Sequence, residues 1–370
     1  MIAAALALDA LVPYLTAALS GIEKIALYLL ILGVLILFHE FGHMVVAKRA
    51  GVTVSEFAFG FGPRLIGIER GGTLYTVNLL PVGGFCRMVG EDSADDGSPD
   101  PGNFQHKPLY ARFLIILAGP FFNFILAAVL FTILGTAIGQ PVPTNVIGQV
   151  KPGTPAAAAH LQPGDEIRTI DGIPFRSGSE IMDYIHARPN KLMDVGIDRA
   201  GQVFHLRIKT MLGDTGGGAK QGMLGYLPRT TASRMPFGEG VVWGVAMVPM
   251  TIATQWYGIV QMNATHDTSG LRGPVGMAQV ISQAAAYGIG TVINITAMLS
   301  VILGMFNLLP IPALDGGRLA FMVVELLRGR RVDPEKEGLV HLTGFALLMV
   351  FIAFVTYHDI ANWISGKGAI

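Results

Sequence analysis

The chain is 370 residues long, 51% hydrophobic and 14% charged, with 26 basic residues balancing 26 acidic ones. That composition marks a membrane protein of several spans with a modest water-exposed part, and zero net charge excludes a general attraction to nucleic acid. The lone cysteine, Cys86, excludes an internal disulfide and any cysteine-based zinc site, and reads as a small packed residue.

Residues 1–24 are apolar at first but have no basic leader, and Asp9 and Pro13 interrupt them. They read as an interfacial segment, with a further span as the alternative. The first firm span covers 25–47 and is followed at once by Lys48 and Arg49, which mark the cytoplasmic side. Inside it lies His39-Glu40-Phe41-Gly42-His43. Two histidines four residues apart share one helix face, so their rings can converge on one metal ion, and the intervening glutamate can reach a water there. This is the zinc hydrolase pattern, with His39 and His43 as ligands and Glu40 as general base. A chance match competes with that reading. Yet an ionisable cluster in a lipid-embedded helix is costly and marks a functional site by default.

Residues 51–107 read as a cytoplasmic-side loop carrying a β-hairpin. Phe57–Pro63 is aromatic and turn-rich, Thr73–Leu79 alternates as a strand, and Gly83-Gly84 bends the chain. The hairpin is either an ordinary cytoplasmic one or is tucked into the helix bundle, where protein must cover its backbone. In the second case its edge can clamp an extended peptide, with Tyr75, Val77, Gly83 and Gly84 as candidate contacts. Glu91–Gly102 is acidic and rich in Pro, Ser and Gly, which predicts a loop.

The second span covers 113–139 without a charge, preceded by Lys107 and Arg112. It contains Gly119-Pro120 and Asn123. The proline leaves a carbonyl free, and Asn123 serves either as helix–helix glue or as a polar group facing the site. Residues 145–210 form a small α+β unit with a helix from Ser177 to Arg188, capped by Ser177 or Ser179. The run from Gln149 to Gly172 resembles a PDZ domain, a module that binds peptides at a sheet edge. Membrane parity places it outside.

Residues 211–272 comprise a glycine-rich linker, Gly213–Gly222, and an apolar stretch, 236–262. We expect the latter to lie on the outer membrane surface. A crossing there would put Asp315 on the opposite side from His39 and His43. The third span lies within 273–317, at about 288–309, and ends in Asn307-Leu308-Leu309-Pro310-Ile311-Pro312-Ala313-Leu314-Asp315-Gly316-Gly317. Two prolines break the helix and expose carbonyls. Asp315 reads as the third zinc ligand, leaving one position for water, or else as a helix cap. Residues 318–338 carry Arg318, Arg328, Arg330, Arg331 and Lys336 and belong inside; 339–357 is the last span and 358–370 the tail. His341 is a rival metal ligand or an interface histidine.

The HEFGH motif, the central PDZ unit and NLLPIPALDGG together resemble the bacterial site-2 protease family (peptidase family M50) of intramembrane zinc metalloproteases, closest to its RseP-type members. Gly119-Pro120 with Asn123, and Gly273-Pro274-Val275-Gly276, match further family stretches. The chain departs from the RseP type in having one PDZ domain rather than two. The expected fold is a polytopic α-helical membrane protein with about four transmembrane helices, a membrane-associated β-hairpin and one inserted α+β PDZ domain. The resemblance implies one Zn2+ per chain, held by His39, His43 and Asp315, with Glu40 as acid/base. It places Asn307, Pro310 and Pro312 around the aspartate and an edge for substrate at about 73–88. It implies single-span membrane protein substrates, already trimmed outside by another protease, such as anti-sigma factors or signal-peptide remnants. It implies a bacterial inner membrane location, with the active site near the cytoplasmic face and the PDZ domain extracytoplasmic. A metal transporter using the same His/Asp set is a rival, though no internal repeat supports it. A non-catalytic PDZ scaffold is another.

Overall fold

Helix α1 runs from Ile2 to Arg49, through Asp9, Pro13 and the segment expected to be separate. The computed structural model describes residues 2–91, 101–214, 220–265, 273–286 and 288–364. Helix α1 ends where Lys48 and Arg49 meet its C-terminal dipole and Gly51 takes a left-handed φ of 71°. Strands β1 (Val54–Arg70) and β2 (Thr73–Met88) follow, joined through Gly71-Gly72, both at positive φ as a two-residue hairpin turn requires. Helix α2 spans Leu109–Ile133. Then come β3 (Gln140–Val150), α3 (Pro155–Ala158), β4 (Glu166–Ile170), β5 (Ile173–Pro174) and α4 (Gly178–His186). Strands β6 (Leu192–Arg199), β7 (Gln202–Lys209), β8 (Met211–Asp214), β9 (Lys220–Met223) and β10 (Tyr226–Ser233) complete that region. The chain ends with α5 (Phe237–Thr265), α6 (Pro274–Ala286), α7 (Ile289–Leu308), α8 (Asp315–Arg328) and α9 (Pro334–Ile364). Two units result: residues 135–236, and the remainder.

The hairpin is more folded than two paired strands. Phe57–Phe59 lie between two runs of β2, Gly84–Cys86 on one side and Tyr75–Val77 on the other, while Arg64–Arg70 pair with Thr73–Asn78. Gly60 and Gly83, at φ 84° and 115°, supply the bends. Residues 74–77 are therefore paired on both sides. Residues 84–88 are paired on one side only among the described residues.

The residue 135–236 unit is a sheet in the order β10-β3-β4-β6-β7. Ile147, Ile167, Ile170, Ile181, Met193 and Ile197 fill its core. Helix α4 starts at Ser177, whose side chain accepts from the Glu180 N–H, while Glu180 accepts from the Arg176 N–H. Two expectations are corrected. The stretch 213–222 is not a plain linker, because β8 and β9 pair around residues 215–219, which lie outside the described residues. Nor does the sheet end at 210: β10 returns to pair with β3, a long-range closure that leaves no local signal. The loop expected at 91–102 falls mostly at 92–100, outside the described residues.

In the other unit, α1, α2 and α7 pack at small residues. A Cβ on Gly42 would meet the Ala118 carbonyl oxygen at 2.4 Å, and one on Gly304 the Pro120 oxygen at 2.9 Å. Helix α5 lies against α2, with Gly244 over Thr132. Among the described residues five helices are long and apolar enough to cross a membrane, and one of them is Phe237–Ala264, which the sequence laid on the surface. Helix α8 buries Gly316, Gly317, Leu319 and Met322 on one face and stops at left-handed Gly329.

The β-sheet unit offers a stability test. Asp165 is 1% exposed, takes two 2.7 Å hydrogen bonds from Arg199 and one from the Gln162 N–H at 2.8 Å. Burial pushes its carboxyl up, but these bonds outweigh burial and hold it below the usual carboxylate range. Its stabilisation is complete above the unfolded-state value of ~3.9 and is lost as pH falls through the lower folded value. Arg199→Met leaves the buried carboxylate without its cation and should destabilise this unit at neutral pH, and by less in acid. Pulse proteolysis of the detergent-solubilised chain, scored for cleavage within 140–233, checks this.

Candidate metal centre and its surroundings

Helix geometry brings His39 and His43 to one face of α1, and their Nε2 atoms stand 3.2 Å apart. The break at Pro310-Ile311-Pro312 turns the chain so that α8 begins at Asp315, whose Oδ2 lies 2.9 Å from His39 Nε2 and 3.5 Å from His43 Nε2. Both histidines are buried, at 7% and 6% exposure. These three residues offer ligand atoms that all lie within 4.8 Å of one another.

The donor set fits a cation. His43 donates from Nδ1 to the Ile115 carbonyl at 2.8 Å, so its Nε2 presents a lone pair. Asp315 Oδ2, which has no hydrogen-bond partner, faces that lone pair and His39 Nε2. Lone pairs converging at this distance repel unless a positive charge sits among them. The Asn123 amide nitrogen lies 3.1 Å from His39 Nδ1, and its Oδ1 is buried without a partner. Ligation through His39 Nε2 leaves the proton on Nδ1, and a half-turn of the amide gives that proton its acceptor. Ser300 of α7 in turn donates to the Asn123 carbonyl at 2.7 Å. The space itself is kept by Gly119, where a Cβ would stand 2.2 Å from His43 Nε2 and 2.8 Å from His39 Nε2.

Glu40 follows His39 on α1, and its Oε2 accepts the Cys86 N–H at 3.0 Å. The single-sided run of β2 thus touches the glutamate directly. Gly83 is the bend just before that run, and Gly84 belongs to it. Tyr75 and Val77 do not: they sit on the doubly paired run and have no free backbone edge. The Tyr75 hydroxyl instead accepts from Lys48 at 2.9 Å. Asn123 stands behind His39, which makes it a partner of the ring. Asn307 is half-buried in the last turn of α7, Pro310 is exposed, and Pro312 packs beneath Gly344 of α9. Sequence reasoning noticed Gly119-Pro120 but not the cradle, and it had no signal for the Ile115 carbonyl, Ser300 or the Cys86 N–H.

The family model for peptidase family M50 matches residues 27–351. The chain belongs to peptidase family M50. Among its M50 relatives is the zinc metalloprotease RasP of Geobacillus kaustophilus, 33% identical, with 92% of this chain and 99% of the relative aligned. The regulator of sigma-W protease RasP of Bacillus subtilis is 32% identical over 92% of this chain and 98% of its own length. A crystal structure of the PDZ domain of an SdrC-like protein from Listeria monocytogenes is similar at 28% identity, covering 23% of this chain and 87% of that one, with a TM-score of 0.21. This M50 chain is a zinc metalloprotease of the site-2 type, a multi-pass membrane enzyme acting within the bilayer.

The glycine cradle yields a prediction. Gly119→Ala places a methyl group among the ligand atoms, so purified variant should carry almost no zinc by metal analysis while its helical content by circular dichroism stays at the wild-type level.

Proposed function

We propose that His39, His43 and Asp315 hold the zinc and that Glu40 is the acid/base of peptide-bond hydrolysis inside transmembrane segments. The observation that carries this reading is the meeting of the three ligand atoms within 3.5 Å of one another, beside a carboxylate on the next residue. Bound zinc supplies Lewis acidity, which makes water a nucleophile near neutral pH and polarises the scissile carbonyl. Glu40 takes the water proton and later delivers it to the leaving amine. The Cys86 N–H holds Glu40 in place for both transfers. Asn307 is the candidate polar group for the developing oxyanion.

A helical peptide bond is hidden by its own hydrogen bonds, so the substrate must unwind before it is cut. Residues 84–88 offer an edge with no second strand beside it next to Glu40, which takes the Cys86 N–H, and the opened segment adds along that edge as a strand. This narrows the expected substrate edge from 73–88 to its last third. Gly83 and Gly84 stay in the contact set, and Tyr75 and Val77 support it from within the sheet.

We infer four crossings, α1, α2, α7 and α9, with α5 on the outer surface. Lys48 and Arg49 end α1, and Arg112 at the start of α2 pairs with Glu325 of α8 at 2.6 Å. These groups share the cytoplasmic face, into which α7 leads. Between the end of α2 and the start of α7 the chain must therefore cross an even number of times. Helix α6 has 13 residues. It is roughly 20 Å long, short of the ~30 Å hydrocarbon core. A crossing by α5 would thus have no return. The PDZ unit then lies on the outer side and screens single-span proteins already trimmed by another protease. The sigma-W regulation named for the B. subtilis relative points to anti-sigma factors as one substrate class.

Two experiments test this. Glu40→Gln should keep about one zinc per chain yet lose at least ~100-fold in cleavage of a single-span test substrate in detergent; wild-type turnover would sink the acid/base assignment. Site-specific protease sites inserted in 215–219 and in 266–272 should both be cut from the outer side of oriented vesicles, whereas cutting of the second from the inner side would make α5 a span.

A further inference from the structure

We propose that His341 of α9 is a positioning residue for Asp315, acting through the backbone of Ala313; this rests on Asp315 being a zinc ligand. The segment 310–313 contains two prolines, so it has only two N–H groups, those of Ile311 and Ala313. Ile311 bonds locally to the Leu309 carbonyl at 2.7 Å. Ala313 donates to Nδ1 of His341 at 3.0 Å, across 28 residues of chain.

Ala313 also sits at φ 77°, where side chains other than glycine rarely rest. Among the described residues of the helical unit it is the one non-glycine at positive φ. Such a conformation persists only where its surroundings hold it. Helix α9 does so at two points one turn apart. His341 receives the N–H, and Gly344 lies so close that a Cβ there would stand 2.3 Å from the Pro312 Cβ. The ring of His341 is itself fixed. It rests 5.6 Å from the Phe321 ring of α8, and its Nε2 faces Glu337 at 3.9 Å. With Nδ1 as acceptor, the proton is on Nε2.

The chain turns from α7 into α8 through this segment, and Asp315 is the first residue after the turn. Fixing Ala313 therefore fixes the direction in which the carboxylate enters the His39–His43 pair. His341 acts on the metal centre from outside the ligand set: its Nδ1 takes the Ala313 N–H, and its Nε2, 3.9 Å from Glu337, has no hydrogen-bond partner.

The test is zinc release from the purified full chain to a chelator, followed with time, on four variants. His341→Leu keeps volume and removes the acceptor; it should release zinc about tenfold faster, the scale set by loss of a partner that orients a ligand. Its cleavage rate should fall with KM little changed. His341→Asn restores an oxygen where Nδ1 stood and should release zinc within about twofold of wild type. Gly344→Ala pushes Pro312 without touching the ring and should behave like the leucine variant. Wild-type release by His341→Leu, or equal loss in His341→Asn and His341→Leu, overturns the proposal. Should the leucine variant fail to fold, unchanged release by Gly344→Ala overturns it. Asp315→Asn separates the premise: full zinc retention there removes Asp315 from the ligand set and the proposal with it.

Discussion

Three side chains bearing lone pairs have to meet in an apolar interior, and the helices that carry them must approach almost backbone to backbone. Glycine is placed wherever that approach would fail. Gly42 admits the Ala118 carbonyl to α1, Gly304 admits α2 to α7, and Gly316 admits the Leu309 carbonyl to the start of α8. Around the meeting point, polar atoms are shared between helices rather than within them. His43 bonds the Ile115 carbonyl, His39 faces Asn123, and Asn123 is tied to Ser300. A buried network of this kind is stable only when its members are satisfied together, so α1, α2 and α7 are fixed as a set.

The hairpin answers a different demand. By threading Phe57–Phe59 between two runs of the same strand, the chain pairs 74–77 on both flanks and leaves the run 84–88 without a strand at one edge. That edge is tied to α1 through the Glu40–Cys86 bond, which sets the carboxylate and the open strand at a fixed spacing. An extended chain laid along this edge would be held by main-chain groups, which every sequence possesses. Selectivity under the proposed mechanism then falls on the ease with which a helix opens and on what has been removed beforehand.

Short motifs were legible because chemistry fixes their spacing. His39 and His43 sit one helical turn apart with Glu40 between them, and Asp315 follows a double proline that ends α7, so the sequence alone pointed to the three residues that meet. Apolar runs placed spans at 113–139 and about 288–309, where helices 109–133 and 289–308 lie, and capping chemistry offered Ser177 or Ser179, of which Ser177 caps α4. What escaped were facts about neighbours. Period-two alternation indicates a strand but not its partners, so Tyr75 and Val77 looked like edge residues although both flanks are filled. Strand β10 closes against a partner some eighty residues earlier and shows only weak alternation. The role of Gly119 is defined by two imidazoles on another helix, and that of His341 by a backbone N–H on another segment. Composition around those residues carries neither message.

An open strand edge flanked by exposed Phe61, Leu80 and Val82 is a liability in water. At membrane depth lipid gives its main-chain groups no hydrogen-bond partner, so neighbouring protein or an unwound substrate segment must shield it under the topology proposed above. Extraction removes the shield. Two solubilised chains then present one another with matching unpaired backbones, and edge-to-edge pairing becomes the cheapest way to satisfy them. Dimers that form on going from thick to thin detergent shells would report lost cover and not native stoichiometry, so oligomeric state for this enzyme is best measured in nanodiscs.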